Sequence, residues 1–191
     1  MSAPQGKTLR RAAFLDRDGT VTKSVAYYII KPSQVELEEG AAEAVRLLHS
    51  KGYLVIIITN QAGVARGFLT EDDLAEIHAT MEEKLAEQGA EVDAIYYCPH
   101  HPEGRVERYA GECDCRKPKT GMLTRAARVF GIDLNASVMI GDSERDVASG
   151  KAAGCKTFLV DPGPVTELSL ANHRAGSLLE AAQMICEETR T

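Results

Sequence analysis

Short apolar runs, several of them rich in β-branched residues, alternate along this sequence with segments whose apolar residues recur at helical spacing. The pattern predicts strands at 12–15, 53–58, 94–97, 138–140 and 157–160. It predicts helices at 40–50, 70–89, 122–130 and 177–187, with a short helix that ends at Gly154. Strands that alternate with helices favour a parallel sheet covered on both faces. We therefore expect an α/β fold with a Rossmann-like parallel sheet.

The length of 191 residues suits one domain that spans 1–191. The segment between the first strand and the helix at 40–50 is too short to hold a large cap domain, so we expect none. The apolar share of 44% and the charged share of 26% are those of an ordinary globular protein.

The formal net charge of −6 disfavours nucleic acid as the main partner, because phosphate backbones require a basic face. A small phosphorylated ligand stays possible, since a basic pocket can lie within an acidic surface. No apolar run approaches the roughly 18 residues of a membrane span. The N-terminal residues lack the apolar core of a secretory signal, so we expect a cytoplasmic protein without membrane contact. A monomer is expected.

Polar residues gather where the predicted strands end. Asp16 and Asp18 follow the first strand, Thr59 ends the second, and Asp142 follows the strand at 138–140. Lys117 precedes a helix. Ligands of parallel α/β sheets bind beyond the carboxyl ends of the strands, so we expect these side chains to share one site.

This set fits phosphoryl transfer. Aspartates can hold a cation, a hydroxyl and a lysine can hold phosphate oxygens, and one aspartate can attack phosphorus. An isolated Asp-x-Asp would more simply be an acidic turn, with Gly19 allowing the chain to reverse. The three further features change that balance.

The motifs Asp16-Arg17-Asp18-Gly19-Thr20, Thr59, Lys117 and Gly141-Asp142 resemble, in this order, those of haloacid dehalogenase superfamily phosphatases. The resemblance implies that Asp16 is the nucleophile and Asp18 the general acid and base. It implies a Mg²⁺ ion held by Asp16, the Asp18 carbonyl and Asp142. Thr59 and Lys117 would neutralise the transferred phosphoryl oxygens. Asp146 would orient Lys117 or a metal-bound water, or be a solvated helix residue.

A second cluster combines thiols with an imidazole. Cys98 and His100, and later Cys113 and Cys115, are each two residues apart, so each pair points one way in an extended chain. Three sulfurs and one imidazole make a closed structural zinc set. We expect a zinc loop at 98–115, with His101 as the alternative ligand. Cys155 and Cys186 are expected to be core residues.

This loop narrows the resemblance to D-glycero-D-manno-heptose 1,7-bisphosphate phosphatases and the related histidinol-phosphate phosphatases. The shared stretches are 96–102, Cys113 to Pro118, and Thr59-Asn60-Gln61 with the glycines that follow. The resemblance implies removal of the 7-phosphate of a small phosphorylated sugar. The residues that it implies for substrate binding are Thr59, Asn60, Gln61, Arg116 and Lys117.

One segment departs from the heptose enzymes. After Thr20 the family usually has an acidic residue and a Gly-Tyr pair, whereas 21–28 contains neither the acid nor the glycine. Lys23 could meet a second phosphate or simply be solvated. Histidinol phosphate, or a small sugar phosphate other than the heptose bisphosphate, is therefore the alternative substrate. A polynucleotide 3′-phosphatase is disfavoured by the charge, and a non-catalytic zinc module by the complete set of catalytic residues.

Overall fold

The computed structural model describes residues 9–161 and 169–188, and six parallel strands within them form one sheet. The strands are β1 (Arg11–Leu15), β2 (Tyr53–Asn60), β3 (Ala94–Cys98), β4 (Val138–Gly141), β5 (Lys156–Val160) and β6 (His173–Ala175). Their order across the sheet is β3-β2-β1-β4-β5-β6. Strand order therefore reverses beside β1, which is where doubly wound sheets leave a crevice for ligands.

Six α-helices lie in the described residues: α1 (Ala41–Ser50), α2 (Ala62–Ala65), α3 (Glu71–Ala86), α4 (Gly121–Phe130), α5 (Glu144–Ala153) and α6 (Leu178–Glu188). The predicted helix start at Thr70 is confirmed, because its hydroxyl accepts from the backbone N–H of Asp73 and the Asp73 carboxylate accepts in return. This capping box fixes where α3 begins.

The sheet buries both of its faces. Ala13 and Leu15 of β1 pack in one cluster with α1, α3 and α6, whereas Ala12 and Phe14 pack in a second with α4. Seven of the eight residues of β2 are buried. The predicted two-sided parallel sheet is confirmed, and strand burial on both faces explains why these runs are continuously apolar.

Two elements were not predicted. α2 has only four residues, and β6 consists of His173, Arg174 and Ala175. Neither has an apolar period, because α2 is too short for one and β6 is a polar strand at the sheet edge. The backbone pairing of β6 with β5 comes from tertiary structure.

Residues 20–40, the flap, connect β1 to α1. They contain a single 3₁₀ turn (Pro32–Gln34) and a bridge between Thr22 and Leu37. The expected absence of a large cap between these elements is thus confirmed for the described residues. No helix in the described parts of the chain combines the length and the apolarity needed to cross a membrane.

Candidate active site and metal centre

The predicted catalytic residues meet beyond the carboxyl ends of β1, β2 and β4. Asp16 directly follows β1, Thr59 lies near the end of β2, and Asp142 directly follows β4. They line one cavity of about 500 Å³ together with other predicted residues. Those residues are Asp18, Asn60, Arg116 and Lys117. The structure thus brings these distant segments of the sequence together around one cavity.

Lys117 is the buried cation of this site. Its Nζ lies 2.8 Å from Asp16 Oδ1 and 2.6 Å from Asp146 Oδ1, and it donates to the Ile58 carbonyl at 2.7 Å. Its side chain is 2% exposed. Desolvation disfavours the charged amine, but the attraction of Asp16 and Asp146 outweighs it and raises the pKa of Lys117. The lysine therefore stays charged, as phosphate binding requires.

Opposing effects act on the pKa of the Asp16 carboxylate. Burial raises its pKa to about 7, against the attraction of Lys117, and the neighbouring charges of Asp146 and Asp18 act in the same direction as burial. A nucleophile must be deprotonated, so additional positive charge next to Asp16 would favour the reactive form.

The donor set beside Asp16 fits a divalent cation. Carboxylate oxygens of Asp16, Asp142 and Asp146 lie within 4.8 Å of one another. Mg²⁺ prefers oxygen ligands. Both oxygens of Asp146 are engaged, one by Lys117 and the other by Ser143, whereas Lys117 contacts only Oδ1 of Asp16 and Asp142 faces the cavity. Asp16 and Asp142 are therefore the members of the group left to take a cation.

Gly19 allows the loop after β1 to approach Asp142. Its φ is +81°, and a Cβ at this position would lie 2.2 Å from Asp142 Oδ2. A side chain would both strain the backbone and displace the carboxylate. Glycine at this position thereby allows the two acidic loops to lie against each other.

Asp146 does not behave as a solvated helix residue. Its side chain is 1% exposed, one oxygen contacts Lys117, and the other accepts from the backbone N–H and the hydroxyl of Ser143. That alternative is wrong, and the contact favours a role in orienting Lys117. Asp146 forms a capping box with Ser143, the N-cap residue of α5, and this pairing leaves its other oxygen facing the lysine.

Asn60 and Gln61 are occupied by other protein groups. The Asn60 amide accepts from the Lys117 backbone N–H at 3.0 Å and donates to the Lys117 carbonyl at 3.1 Å. The Gln61 side chain is buried away from the cavity, where its amide contacts Arg17, Asp18 and Thr59. Both amides thus contact other predicted site residues, and of the two only Asn60 lines the cavity.

Arg17 was not singled out from the sequence, yet its side chain is fully buried. Its Nε donates to Asp18 Oδ1 and its Nη2 to Asp18 Oδ2, both at 2.9 Å. Arginine is seldom fully buried unless it is paired. The only available signal was its position between two acids of a catalytic motif.

The four predicted zinc ligands form a compact group. The three sulfurs of Cys98, Cys113 and Cys115 lie 3.1–3.5 Å apart, and His100 Nδ1 lies 3.4 Å from the Cys115 sulfur and 3.8 Å from that of Cys98. These atoms could hold one metal ion. The neighbouring thiols influence each other: hydrogen bonding with Cys98 lowers the pKa of Cys115 to about 5, whereas the same contact raises the pKa of Cys98.

His101 lies outside this group. Its Nδ1 accepts from the backbone N–H of Glu103 at 3.1 Å, and its Nε2 lies 3.3 Å from Arg66. The geometry favours His100 over the alternative ligand, because adjacent residues of an extended chain point in opposite directions.

A hydrogen-bonded brace that the sequence did not reveal supports the metal loop, residues 98–115. Glu71 accepts from the hydroxyls of Tyr97 and Tyr109. The Tyr109 ring meets the His100 ring edge-on, with centroids 5.9 Å apart. The start of α3 therefore fixes one wall of the metal cluster.

The flap contributes aromatic rather than acidic groups to the cavity. Tyr28 lines it and packs on Phe68 with ring centroids 5.5 Å apart. Lys23 instead pairs with Glu36 at 3.0 Å on the exposed surface and does not line the cavity. This geometry favours the solvated alternative for Lys23.

Comparison with known proteins agrees with this arrangement. A family described as HAD-hydrolase-like matches residues 114–181. A D-glycero-beta-D-manno-heptose-1,7-bisphosphate 7-phosphatase of Pasteurella multocida is 42% identical over 93% of this chain and 97% of its own. The enzyme of the same name from Rhodopseudomonas palustris is 43% identical over 82% of this chain and 84% of its own.

A solved structure shows the same fold. It is that of D,D-heptose 1,7-bisphosphate phosphatase from B. bronchiseptica with magnesium and phosphate. It has a TM-score of 0.81 and 32% identity, covering 93% of this chain and 99% of that one. By sequence similarity over nearly its whole length, the chain belongs to the D-glycero-beta-D-manno-heptose-1,7-bisphosphate 7-phosphatases, phosphoric monoester hydrolases with the haloacid dehalogenase fold.

Proposed function

We propose that this protein removes the 7-phosphate of D-glycero-D-manno-heptose 1,7-bisphosphate through an aspartyl-phosphate intermediate. The observation that supports this most is the meeting of Asp16, Asp18, Thr59 and Lys117 in one cavity whose wall also carries Arg116 from the end of the metal loop. The relatives that bear this name match 78–93% of this chain.

In the first step, an Asp16 oxygen forms a bond to phosphorus as the bond to the sugar oxygen breaks. Asp18 gives its proton to the departing oxygen. Lys117 and Thr59 hold the transferred oxygens, whose negative charge they stabilise. In the second step Asp18 takes a proton from water, the water oxygen bonds to phosphorus, and the Asp16–phosphorus bond breaks to release inorganic phosphate.

Asp16, the Asp18 carbonyl and Asp142 would hold Mg²⁺, which when bound would offset the repulsion between the phosphate and the attacking carboxylate. Cys98, His100, Cys113 and Cys115 would hold a structural zinc ion. The zinc set would then fix the backbone of Arg116, which directly follows Cys115.

A substrate panel tests the activity. Phosphate release is measured under one condition from both anomers of the heptose bisphosphate, histidinol phosphate and common sugar monophosphates. We expect the highest kcat/KM for a heptose bisphosphate anomer. A higher value for histidinol phosphate would assign the alternative function, which the absent acid in residues 21–28 makes worth testing. No release from any phosphate ester would contradict the phosphatase chemistry itself.

Arg116 tests substrate recognition separately from chemistry. Its guanidinium lines the cavity and donates to the His100 carbonyl at 3.3 Å. Losing a charge-assisted contact costs about 1.5–3 kcal/mol, so Arg116→Ala should lower kcat/KM for the sugar phosphate roughly 10- to 100-fold. A small aryl phosphate offers no remote group to hold and should lose little.

The matched control is Arg105→Ala, since this exposed arginine belongs to the same loop but does not line the cavity. It should leave both substrates unaffected. Equal losses of the two substrates with Arg116→Ala would instead place this arginine at the reacting phosphoryl group.

A further inference from the structure

The Asp18 carboxylate is surrounded by donors. Arg17 donates to both of its oxygens, Gln61 Nε2 donates to Oδ2 at 2.9 Å, and the Thr22 hydroxyl lies 3.3 Å from Oδ1. The carboxylate side chain is nevertheless 33% exposed toward the cavity. Asp18 is thus fixed from behind while one side stays open to a ligand.

Arg17 differs from Asp18 in having no access to the cavity. Its side chain is fully buried, and Asp18 is the one carboxylate paired with it in the described residues. A guanidinium remains charged in proteins, and leaving a buried charge without its partner is strongly unfavourable. Arg17 therefore stays paired with Asp18, and its planar guanidinium sets the plane of the carboxylate.

Gln61 extends this arrangement to the phosphate-binding side of the cavity. Its Oε1 accepts from Arg17 Nη2 at 3.0 Å, and its Nε2 donates to both Asp18 and Thr59 Oγ1. One amide therefore ties the Asp18 carboxylate to the hydroxyl at the end of β2. Movement of Arg17 would disturb both.

The buried imidazole of His78 does not add a second positive charge beside Arg17. Burial and the Arg17 charge lower the pKa of His78 to about 4, and its Nε2 has no hydrogen-bond partner. His78 is neutral at pH 7, so Arg17 and Asp18 form a one-to-one ion pair beneath the cavity.

We propose that Arg17 is a positioning residue for proton transfer by Asp18, with Gln61 completing the array that aligns this carboxylate with Thr59. The proposal rests on the phosphatase activity and on Asp18 as its acid and base, not on the identity of the sugar. Arg17 itself does not touch the substrate.

Measuring phosphoryl transfer and hydrolysis of the aspartyl phosphate separately distinguishes a positioning role of Arg17 from a purely structural one. An alkyl phosphate must leave as an alkoxide unless Asp18 protonates it, whereas 4-nitrophenolate is a stable anion that needs no proton. Misplacing Asp18 should therefore slow phosphoryl transfer from an alkyl ester far more than from 4-nitrophenyl phosphate. Water attack on the aspartyl phosphate still needs Asp18 as base, so the second step should slow for both.

The experiment compares Arg17→Met and Arg17→Lys with the wild type in rapid-mixing assays. The substrates are 4-nitrophenyl phosphate and the best sugar phosphate of the panel. For the sugar phosphate we expect transfer to fall about 100-fold or more, a typical contribution of a positioned acid. For the aryl ester we expect a burst of one nitrophenolate per active site followed by slow turnover. Arg17→Lys should recover only part of the rate, because its point charge cannot replace the planar guanidinium.

Gln61→Met provides the same comparison if Arg17→Met does not fold, as judged by thermal unfolding. The matched control is Arg11→Met, a partly buried arginine at the opposite end of β1, which should leave the ratio of the two rates unchanged. Equal slowing of transfer from both esters by folded variants, or no slowing, would overturn the positioning role. A wild type that hydrolyses neither ester would instead refute the phosphatase function.

Discussion

Replacement of Asp16 by asparagine is expected to reduce turnover by about 10⁴-fold or more while the fold survives. The substitution preserves the shape of the side chain but removes the attacking charge. The buried Lys117 keeps a carboxylate partner in Asp146, 2.6 Å away, so no lone cation is left in the core. Steady-state phosphate release gives the rate, and thermal unfolding verifies the fold.

The control for Asp16→Asn is Asp72→Asn, the same change at an exposed position in the first turn of α3, which should leave turnover intact. Fluoride complexes of beryllium or aluminium mimic the phosphoryl group. They should bind the wild type and stabilise it against thermal unfolding. Mass spectrometry of the trapped phosphoenzyme should place the phosphate on Asp16. Substantial remaining activity, or phosphate on another residue, would remove Asp16 as nucleophile.

Loss of a ligand from the cysteine cluster should have the largest effect on stability. We expect the purified chain to hold about one zinc ion, distinct from exchangeable Mg²⁺. Cys113→Ser should lower zinc content and stability together, since metal binding and loop folding are coupled. A loss of about 3 kcal/mol would lower the Tm by roughly 6–12 °C for a chain of this size. Elemental analysis and thermal unfolding measure the two quantities.

Cys155→Ala serves as the control, because this thiol is buried and belongs to neither the metal loop nor the cluster. Its zinc content should equal that of the wild type. Full zinc content in both Cys113→Ser and Cys115→Ser would exclude the proposed ligand set. A chain purified without any zinc would do the same.

Strands β1 and β2 could be predicted because burial on both faces demands continuous apolar runs. β6 could not, since its three residues include His173 and Arg174 and its position depends on pairing with β5. Local sequence also cannot reveal a four-residue helix such as α2, which has too few turns for a periodic pattern.

The candidate site also combines features that the sequence could predict with features that it could not. Asp16, Asp18 and Asp142 could be located because each follows a recognisable strand. The contacts of Asn60 with Lys117 could not, because the two residues are 57 positions apart and join different loops. The hydrogen bond between the buried Arg17 and Gln61 likewise joins residues 44 positions apart. Motifs indicate candidate site residues, whereas packing decides which of them face the cavity.

The position of the cavity beside the central strand has an evolutionary consequence. Asp16 and Asp142 directly follow β1 and β4, so replacing the buried strand residues that carry them would disturb the fold and the reaction together. The flap contributes Tyr27, which is 90% exposed, and Val25 at 37% to the rim of the same cavity. Exposed substitutions usually change stability by only about 0.5 kcal/mol. Substitutions at the rim can therefore change which sugar the cavity accepts, whereas substitutions in the strands beneath it are limited by the stability of the sheet.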